Sequence, residues 1–388
     1  MHKKLIALAV ASLAAGSAFA QTNVTLYGIA DIAYVYGKGN APRGMDDPSF
    51  SGLTSGAFYG SRLGVKGSEA LGNGLKAVFT LEYGLDIDVN EGVGTGGLNA
   101  RQQFVGLSSD KLGTIALGRQ YAPAFVATAN NDAMEGATFD PQYFLSSEAG
   151  NTIVANSAAR WDNAVTYTSP NWSGFTGKAI YSFGESSVTK STSANGKFGL
   201  GANYSSGPLN VDLVYQSRQN VVATAIAPTF TVAGTPPNTT ITGVPGVPAI
   251  YTGKNIDEGY IGASYDFKVV KIMGSYQAKN DKTALDADNQ VWSLGAVIPV
   301  LSASNVHISY GELDWDQDGT LSALNGNSQA AALGWTTNLS KRTRLYTAYT
   351  WTTNDRDSIG AQSEAMPYGV GYPGETNNSV VAGITHVF

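Results

Sequence analysis

The chain has 388 residues, 43% of them hydrophobic and only 14% charged, with 46 Gly, 20 Tyr, 14 Phe and no cysteine. Without cysteine neither a disulfide scaffold nor a thiolate metal site can form, and 30 acidic against 24 basic side chains oppose binding to nucleic acid. The balance fits neither a disordered chain nor a helical one; it suits many short strands whose two faces differ.

The first residues read as a leader. Lys3 and Lys4 precede a mostly apolar run from Leu5 to Ala15, and Ala18-Phe19-Ala20 ends it in the A-x-A pattern, so residues 1–20 are expected to be a cleaved secretory signal peptide. The mature chain would be a single domain over 21–388. Beyond the leader no stretch of 18 or more uncharged apolar residues occurs, so any membrane crossing must use strands rather than helices.

From Asn23 onward one unit repeats: about ten residues that alternate apolar with polar or small, then a turn. Val24, Leu26, Ala30, Ile32 and Tyr34 share one parity, and Thr25, Tyr27 and Asp31 the other. Leu75, Ala77, Phe79, Leu81 and Tyr83 oppose Lys76, Thr80 and Glu82; Ile261, Ala263, Tyr265 and Phe267 oppose Glu258, Ser264 and Asp266. Faces this regular must be buried in a protein core or in lipid.

The connections separate those options. Seven are short and rich in turn formers: Leu71-Gly-Asn-Gly74, Asp110-Lys-Leu-Gly113, Pro170-Asn-Trp-Ser-Gly174, Ser205-Ser-Gly-Pro208, a reversal near Lys268, Leu301-Ser-Ala-Ser304 and Ser340-Lys-Arg-Thr343. Eight longer ones, near 37–57, 86–100, 122–159, 184–197, 218–256, 279–290, 312–328 and 354–377, alternate with them. A soluble sandwich has no reason to gather every long loop at one end, whereas an outer-membrane barrel has short periplasmic turns and longer extracellular loops. The expected fold is therefore all-β, a 16-stranded antiparallel transmembrane barrel. The fifth long loop, with Pro228, Pro236, Pro237, Pro245 and Pro248, is expected to be irregular. The last strand alternates through Val380, Ala382, Ile384 and His386 to a terminal aromatic, Phe388.

In order and spacing these segments resemble the general porins of Gram-negative bacteria, particularly the β-proteobacterial type. The resemblance covers the whole chain. It rests on Val24-Thr-Leu-Tyr-Gly28, Gly60-Ser-Arg-Leu-Gly-Val-Lys-Gly-Ser-Glu69 with Leu71-Gly-Asn-Gly-Leu-Lys-Ala-Val-Phe79, Arg101-Gln-Gln-Phe-Val-Gly-Leu107, Leu117-Gly-Arg-Gln-Tyr121, Arg160-Trp-Asp-Asn-Ala-Val-Thr-Tyr167 and the closing Phe388. It implies a homotrimer of barrels in outer-membrane lipid, each with its own water-filled pore for small polar solutes and ions, narrowed by an inward-folded third loop. It also implies wall arginines at Arg62, Arg119 and Arg160 facing acids on that loop, best matched by Asp132 and Glu135, and Phe388 as a signal to the outer-membrane assembly machinery.

The residues themselves bear on these roles. A charge on the lipid face costs about 2–4 kcal/mol near the midplane, so strand arginines and lysines should face the lumen. Parity agrees for Arg62 and Lys66, which oppose Leu63 and Val65, and for Arg160, which shares its face with Asp162, Thr166 and Thr168; Arg119 shares parity with Ile115 and Leu117. Lys66 and Arg101 are secondary pore-lining candidates. The alternative is that these groups merely pair with acids in a polar interior, and that Asp132, Glu135 and Asp140 are solvated loop acids. His307 and His386 have no ligand spacing and no G-x-S-x-G elbow occurs, so neither catalysis nor a cofactor is expected. A substrate-specific channel, or a surface adhesin anchored by a barrel, stands as the other reading.

Overall fold

The computed structural model describes residues 23–40, 47, 49–89, 99–184, 193–223, 229–233, 240–244, 250–283, 285–316, 326–355 and 376–388, with backbone alone over 222–252. The leader and the five loop prolines lie outside the described residues. In chain order the strands are β1 (Asn23–Gly39), β2 (Ser49–Ser55), β3 (Arg62–Gly72), β4 (Leu75–Gly84), β5 (Asn99–Ser109), β6 (Gly113–Tyr121), β7 (Arg160–Thr168), β8 (Phe175–Ser182), β9 (Gly196–Ser206) and β10 (Leu209–Ala223). They continue with β11 (Thr229–Ala233), β12 (Thr240–Val244), β13 (Ile250–Asp266), β14 (Lys271–Asp281), β15 (Asn289–Leu301), β16 (Ser304–Trp315), β17 (Asn327–Asn338), β18 (Thr343–Asn354) and β19 (Thr376–Val387). Two helices, α1 (Pro123–Asn130) and α2 (Pro141–Glu148), lie between β6 and β7.

Every pairing is antiparallel, and β1 closes the sheet by pairing with β19 on one side and with β2 and β3 on the other. β2 meets β1 from Ile32 outward and β3 meets it from Ile29 back to Asn23, so the two are halves of one stave. Counted this way, the closed sheet among the described residues has sixteen staves, and β11 with β12 forms a separate hairpin. Where alternation predicts a loop over 37–57, β1 runs to Gly39 and β2 covers Ser49–Ser55, and the interruption falls at 56–61. It is held by Asp31, a fully buried carboxylate on β1. Its oxygens accept from the backbone N–H groups of Phe58 and Tyr59, both at 3.3 Å, and from the Tyr346 hydroxyl at 2.8 Å. The fifth loop also departs from expectation: β10 and β13 run past Arg218 and Ile256 and stay paired to Ala223 and Ile250.

Leu81, Val105, Leu107, Ile115, Leu117, Leu213, Ile261, Leu294 and Leu333 are exposed and form an apolar belt around the outside. The inner face is different in kind. Over β15 to β19 it carries Val291, Leu313, Ala330, Ala332, Ala348 and Val381, all buried, against Met134, Phe139, Phe144 and Leu145 of the 122–159 segment. That segment therefore folds into the barrel because the wall opposite offers it an apolar seat. At Gly201 the approach is so close that a Cβ would collide with the Pro123 ring.

At the seam, Phe388 exchanges two backbone hydrogen bonds with Gly28, each 3.1 Å, and its ring lies where a Cβ on Gly28 would be. Deleting Phe388 removes both bonds and the ring contact at the closing edge. The expected outcome is a sharp fall in heat-modifiable barrel recovered from outer membranes; undiminished yield on unheated gels would refute it.

Candidate pore constriction

The 122–159 segment is pinned to the wall by polar groups as well as by its apolar face. Pro123 starts α1 where its missing N–H costs nothing, and Ala124 and Ala127 pack with Val214, Tyr260 and Ile153. Asp140 caps α2, accepting from Gln142 N at 2.8 Å with Pro141 at the first turn. From the wall, Asp212 Oδ2 accepts from the side-chain amides of Asn131 at 2.8 Å and Asn210 at 2.7 Å. Glu258 Oε2 accepts from Thr152 N at 2.7 Å, Ile153 N at 3.0 Å and Thr152 Oγ1 at 3.0 Å. Lys279 Nζ donates to Ala149 O at 2.5 Å, and His307 Nδ1 lies 2.7 Å from Ala133 O.

Opposite this loop the inner wall is basic. In a sheet, directly paired residues share a face, and the row Tyr27–Gly64–Glu82 points inward. Glu82 Oε2 accepts from the Tyr27 hydroxyl at 3.0 Å, and Oε1 accepts from Arg101 Nε at 2.9 Å and the Tyr121 hydroxyl at 2.8 Å. Arg62, one row away opposite Gly84, donates Nε to Gly60 O at 2.8 Å. Arg160, opposite Tyr121, holds its guanidinium 5.5 Å from the ring of Phe125, which stacks on Tyr121 at 3.9 Å. Arg101 lies within electrostatic reach of both Arg62 and Arg160. Among the described residues, three guanidinium groups thus share one patch with a single close acid, Glu82.

Of the residues singled out from the sequence, Arg62, Arg101 and Arg160 come together here. Lys66 stands on the same face with Nζ 5.0 Å from the Tyr27 ring. Arg119 meets only Arg160 among them, its Nη1 donating to Arg160 O at 3.2 Å. It pairs with Gln103, which pairs with the exposed Leu81, so it lies on the outer face, where Nε donates to Ala100 O at 2.8 Å and Nη1 to Asp162 at 2.5 Å. Past a register shift in the β6–β7 pairing between Gly118 and Gln120, Arg160 pairs with Tyr121 at the strand ends, and the Tyr121 hydroxyl reaches Glu82 in the lumen.

The loop acids also take unexpected positions. Asp132 is buried and caps its own turn, accepting from Met134 N at 2.6 Å and Gly136 N at 2.8 Å. Glu135 faces β18, 3.1 Å from Arg344 Nη1, and accepts from the Tyr59 hydroxyl. Neither contacts Arg62 or Arg160. Glu82, Tyr121, Glu258 and Arg344 were not singled out from the sequence. Glu82 sits on lumen parity, a signal the alternation contained, while Tyr121 has the outward parity of Ile115 and Leu117 and reaches Glu82 from the strand end; the partners of Glu258 and Arg344 are loop atoms more than 100 positions away.

Burial pushes the carboxyls of both Asp132 and Asp140 up from the ordinary range, and the charge of Asp140 raises Asp132 further. A raised native value means the contribution of this pair is complete in acid and is lost as pH climbs through the raised values. The loop should therefore be tightest in acid and loosen as the pH is raised through neutral to alkaline. Hydrogen exchange of the 133–148 amides across that range checks it, and Asp140→Asn should flatten the dependence.

The Gram-negative porin family profile matches residues 7–357. Outer membrane porin protein 32 of Delftia acidovorans is 31% identical over the full length of both chains. An outer membrane porin protein of Bordetella pertussis is 30% identical over 95% of this chain and 99% of its own. Among solved structures, an anion-selective porin from Comamonas acidovorans superposes with a TM-score of 0.73 at 27% identity, covering 95% of this chain and 100% of that one. With a closed sixteen-stave antiparallel sheet, an apolar outer belt and a polar, loop-narrowed lumen, the chain belongs to the Gram-negative porin family and is an outer-membrane porin.

Proposed function

We propose that this porin lets small hydrophilic solutes and ions diffuse passively and prefers anions, with Arg62, Arg101 and Arg160 as the selecting wall of its constriction. One observation carries the reading: among the described residues, three inward guanidinium groups share a patch with Glu82 alone, while Asp132 is turned into the loop and Glu135 is engaged elsewhere. Low-dielectric walls focus the field of such a patch, so local charge outweighs the acidic whole. The anion selectivity named for the Comamonas acidovorans relative supports the same direction. Reversal potentials in planar bilayers under a potassium chloride gradient test it; a cation-selective pore at low salt would refute it.

In this reading the chain is a channel and not a catalyst, residues 1–20 are removed on export, and 21–388 form the mature barrel. Family membership supports assembly of three copies in outer-membrane lipid, with Phe388 read by the assembly machinery. Crosslinking of the unheated protein, giving a species of three times the monomer mass, tests the trimer.

A further inference from the structure

The loop acid Glu135 is spent on a wall cation that the sequence did not bring forward. Arg344 is on the inward face of β18, on the parity of the buried Tyr346 and Ala348. Its Nη1 lies 3.2 and 3.1 Å from the two Glu135 oxygens and 3.2 Å from the Tyr59 hydroxyl, with Nε donating to Asn338 Oδ1 at 3.1 Å. The guanidinium sits 5.4 Å from the ring of Phe58 and 5.8 Å from that of Tyr59.

Strand register relates it to Arg62. One row of paired residues runs Arg62–Ile29–Val387, and another runs Asp31–Thr385–Arg344. The rows are two residues apart on β1 and β19, about 7 Å at the usual strand rise. Arg344 therefore faces the lumen across the β1 seam from Arg62, on a neighbouring inward row. Both partners of the pair reach lumen water, Arg344 with 22% and Glu135 with 41% of its side chain exposed, so neither charge is a buried structural one.

A second observation concerns the backbone. Glu135 has φ +59, a left-handed conformation that non-glycine residues other than Asn and Asp seldom occupy. Strain of this kind persists where surrounding contacts over-determine it, and here the contacts are those of the carboxylate with Arg344 and Tyr59. The loop is bent at this residue in the conformation that delivers an acid to Arg344.

We infer that Arg344 is a fourth selectivity-determining cation of the constriction, kept silent by its ion pair with Glu135. Paired, the two present no net charge to a passing ion; with Glu135 replaced by an uncharged side chain, Arg344 adds to the positive wall of Arg62 and Arg160. The inference rests on the proposed reading of that wall, and the test keeps the two separable.

Reversal potentials at low salt are to be compared for the wild type, Glu135→Gln, Arg344→Gln, the double variant, and Arg62→Ser/Arg160→Ser. Glu135→Gln, which keeps a hydrogen-bonding amide, is expected to raise the chloride-over-potassium permeability ratio roughly two- to five-fold, the scale of one unit charge at close range in wet surroundings. Arg344→Gln should lower it below the wild type, and the double variant should return near it. An unchanged ratio in Glu135→Gln, or a double variant that behaves like Glu135→Gln alone, overturns the inference. If Glu135→Gln yields no channels, Arg344→Gln decides: a fall supports the inference and a wild-type ratio overturns it. Should Arg62→Ser/Arg160→Ser leave the ratio untouched while Glu135→Gln shifts it, the reading of the wall arginines fails and Arg344 stands.

Discussion

Replacing Arg62 and Arg160 together by serine is expected to abolish the anion preference and move the reversal potential toward the potassium limit. Both guanidinium groups sit on the lumen side of the wall, and among the described residues neither is hydrogen-bonded to a carboxylate: Arg62 donates to Gly60 O and Arg160 lies over Phe125. Arg101 differs, because Glu82 takes its Nε at 2.9 Å with both side chains almost wholly buried. Removing the other two would leave a near-neutral patch. At about 4 Å in a water-like medium a unit charge is worth about 1 kcal/mol, so the pair should change the permeability ratio roughly ten-fold at low salt. The effect should fade between about 0.1 M and 1 M salt, as the screening length falls from about 10 Å to about 3 Å. A double variant that keeps the wild-type reversal potential at low salt would show that these arginines only fill a polar interior.

Much of this architecture is written locally. Alternation fixes which side of each stave meets lipid, and the exposed Leu81 and Ile261 carry the apolar parity read from the sequence. Turn chemistry fixes the connections: Asn73 and Lys268, with φ of 52 and 68, fall in reversals recognised from their composition. What alternation could not fix is anything that depends on a strand irregularity. Arg119 keeps the outward parity of Ile115 and Leu117 that the sequence showed and departs only from the role its resemblance implied, whereas the β6–β7 register shift puts the pair Tyr121–Arg160 at the strand ends, where no parity argument carries a face assignment across a shift. The break between β2 and β3 was hidden for the same reason, its cause being Asp31 on another stave.

The third loop was legible only through resemblance, yet its seat left a mark in the sequence. Ala330, Ala332, Ala348 and Val381 occupy lumen parity, where an open aqueous pore would be polar, and all four are buried beneath the loop. Small or apolar residues at inward positions thus identify the strands on which something lands. Asp132 and Glu135 were harder, because a loop acid near an arginine in sequence alignment has no fixed direction until the loop's own turns are known.

Glu258→Ala is expected to release the loop while leaving the barrel intact. This carboxylate, 3% exposed, receives two backbone N–H groups and a hydroxyl from Thr152 and Ile153 through one oxygen, and Arg218 Nη2 at 2.8 Å through the other. Alanine would strand the two buried N–H groups, at about 1–3 kcal/mol each, and leave the Arg218 guanidinium without its acid in a confined site, which makes the total loss several kcal/mol. The strand ladder loses nothing, since β13 keeps its pairing with β10 and β14. The cheapest response is for residues 149–153 to detach and rehydrate, so the penalty falls on loop order rather than on the fold. Single-channel records should then show rapid excursions between current levels, with heat modifiability on gels unchanged. Glu258→Gln keeps one carbonyl oxygen for Thr152 and Ile153 but turns an amide donor toward Arg218, and should give an intermediate trace. If the alanine variant conducts as quietly as the wild type, Asp212, Lys279 and His307 hold the loop without Glu258, and its carboxylate serves only to pair Arg218.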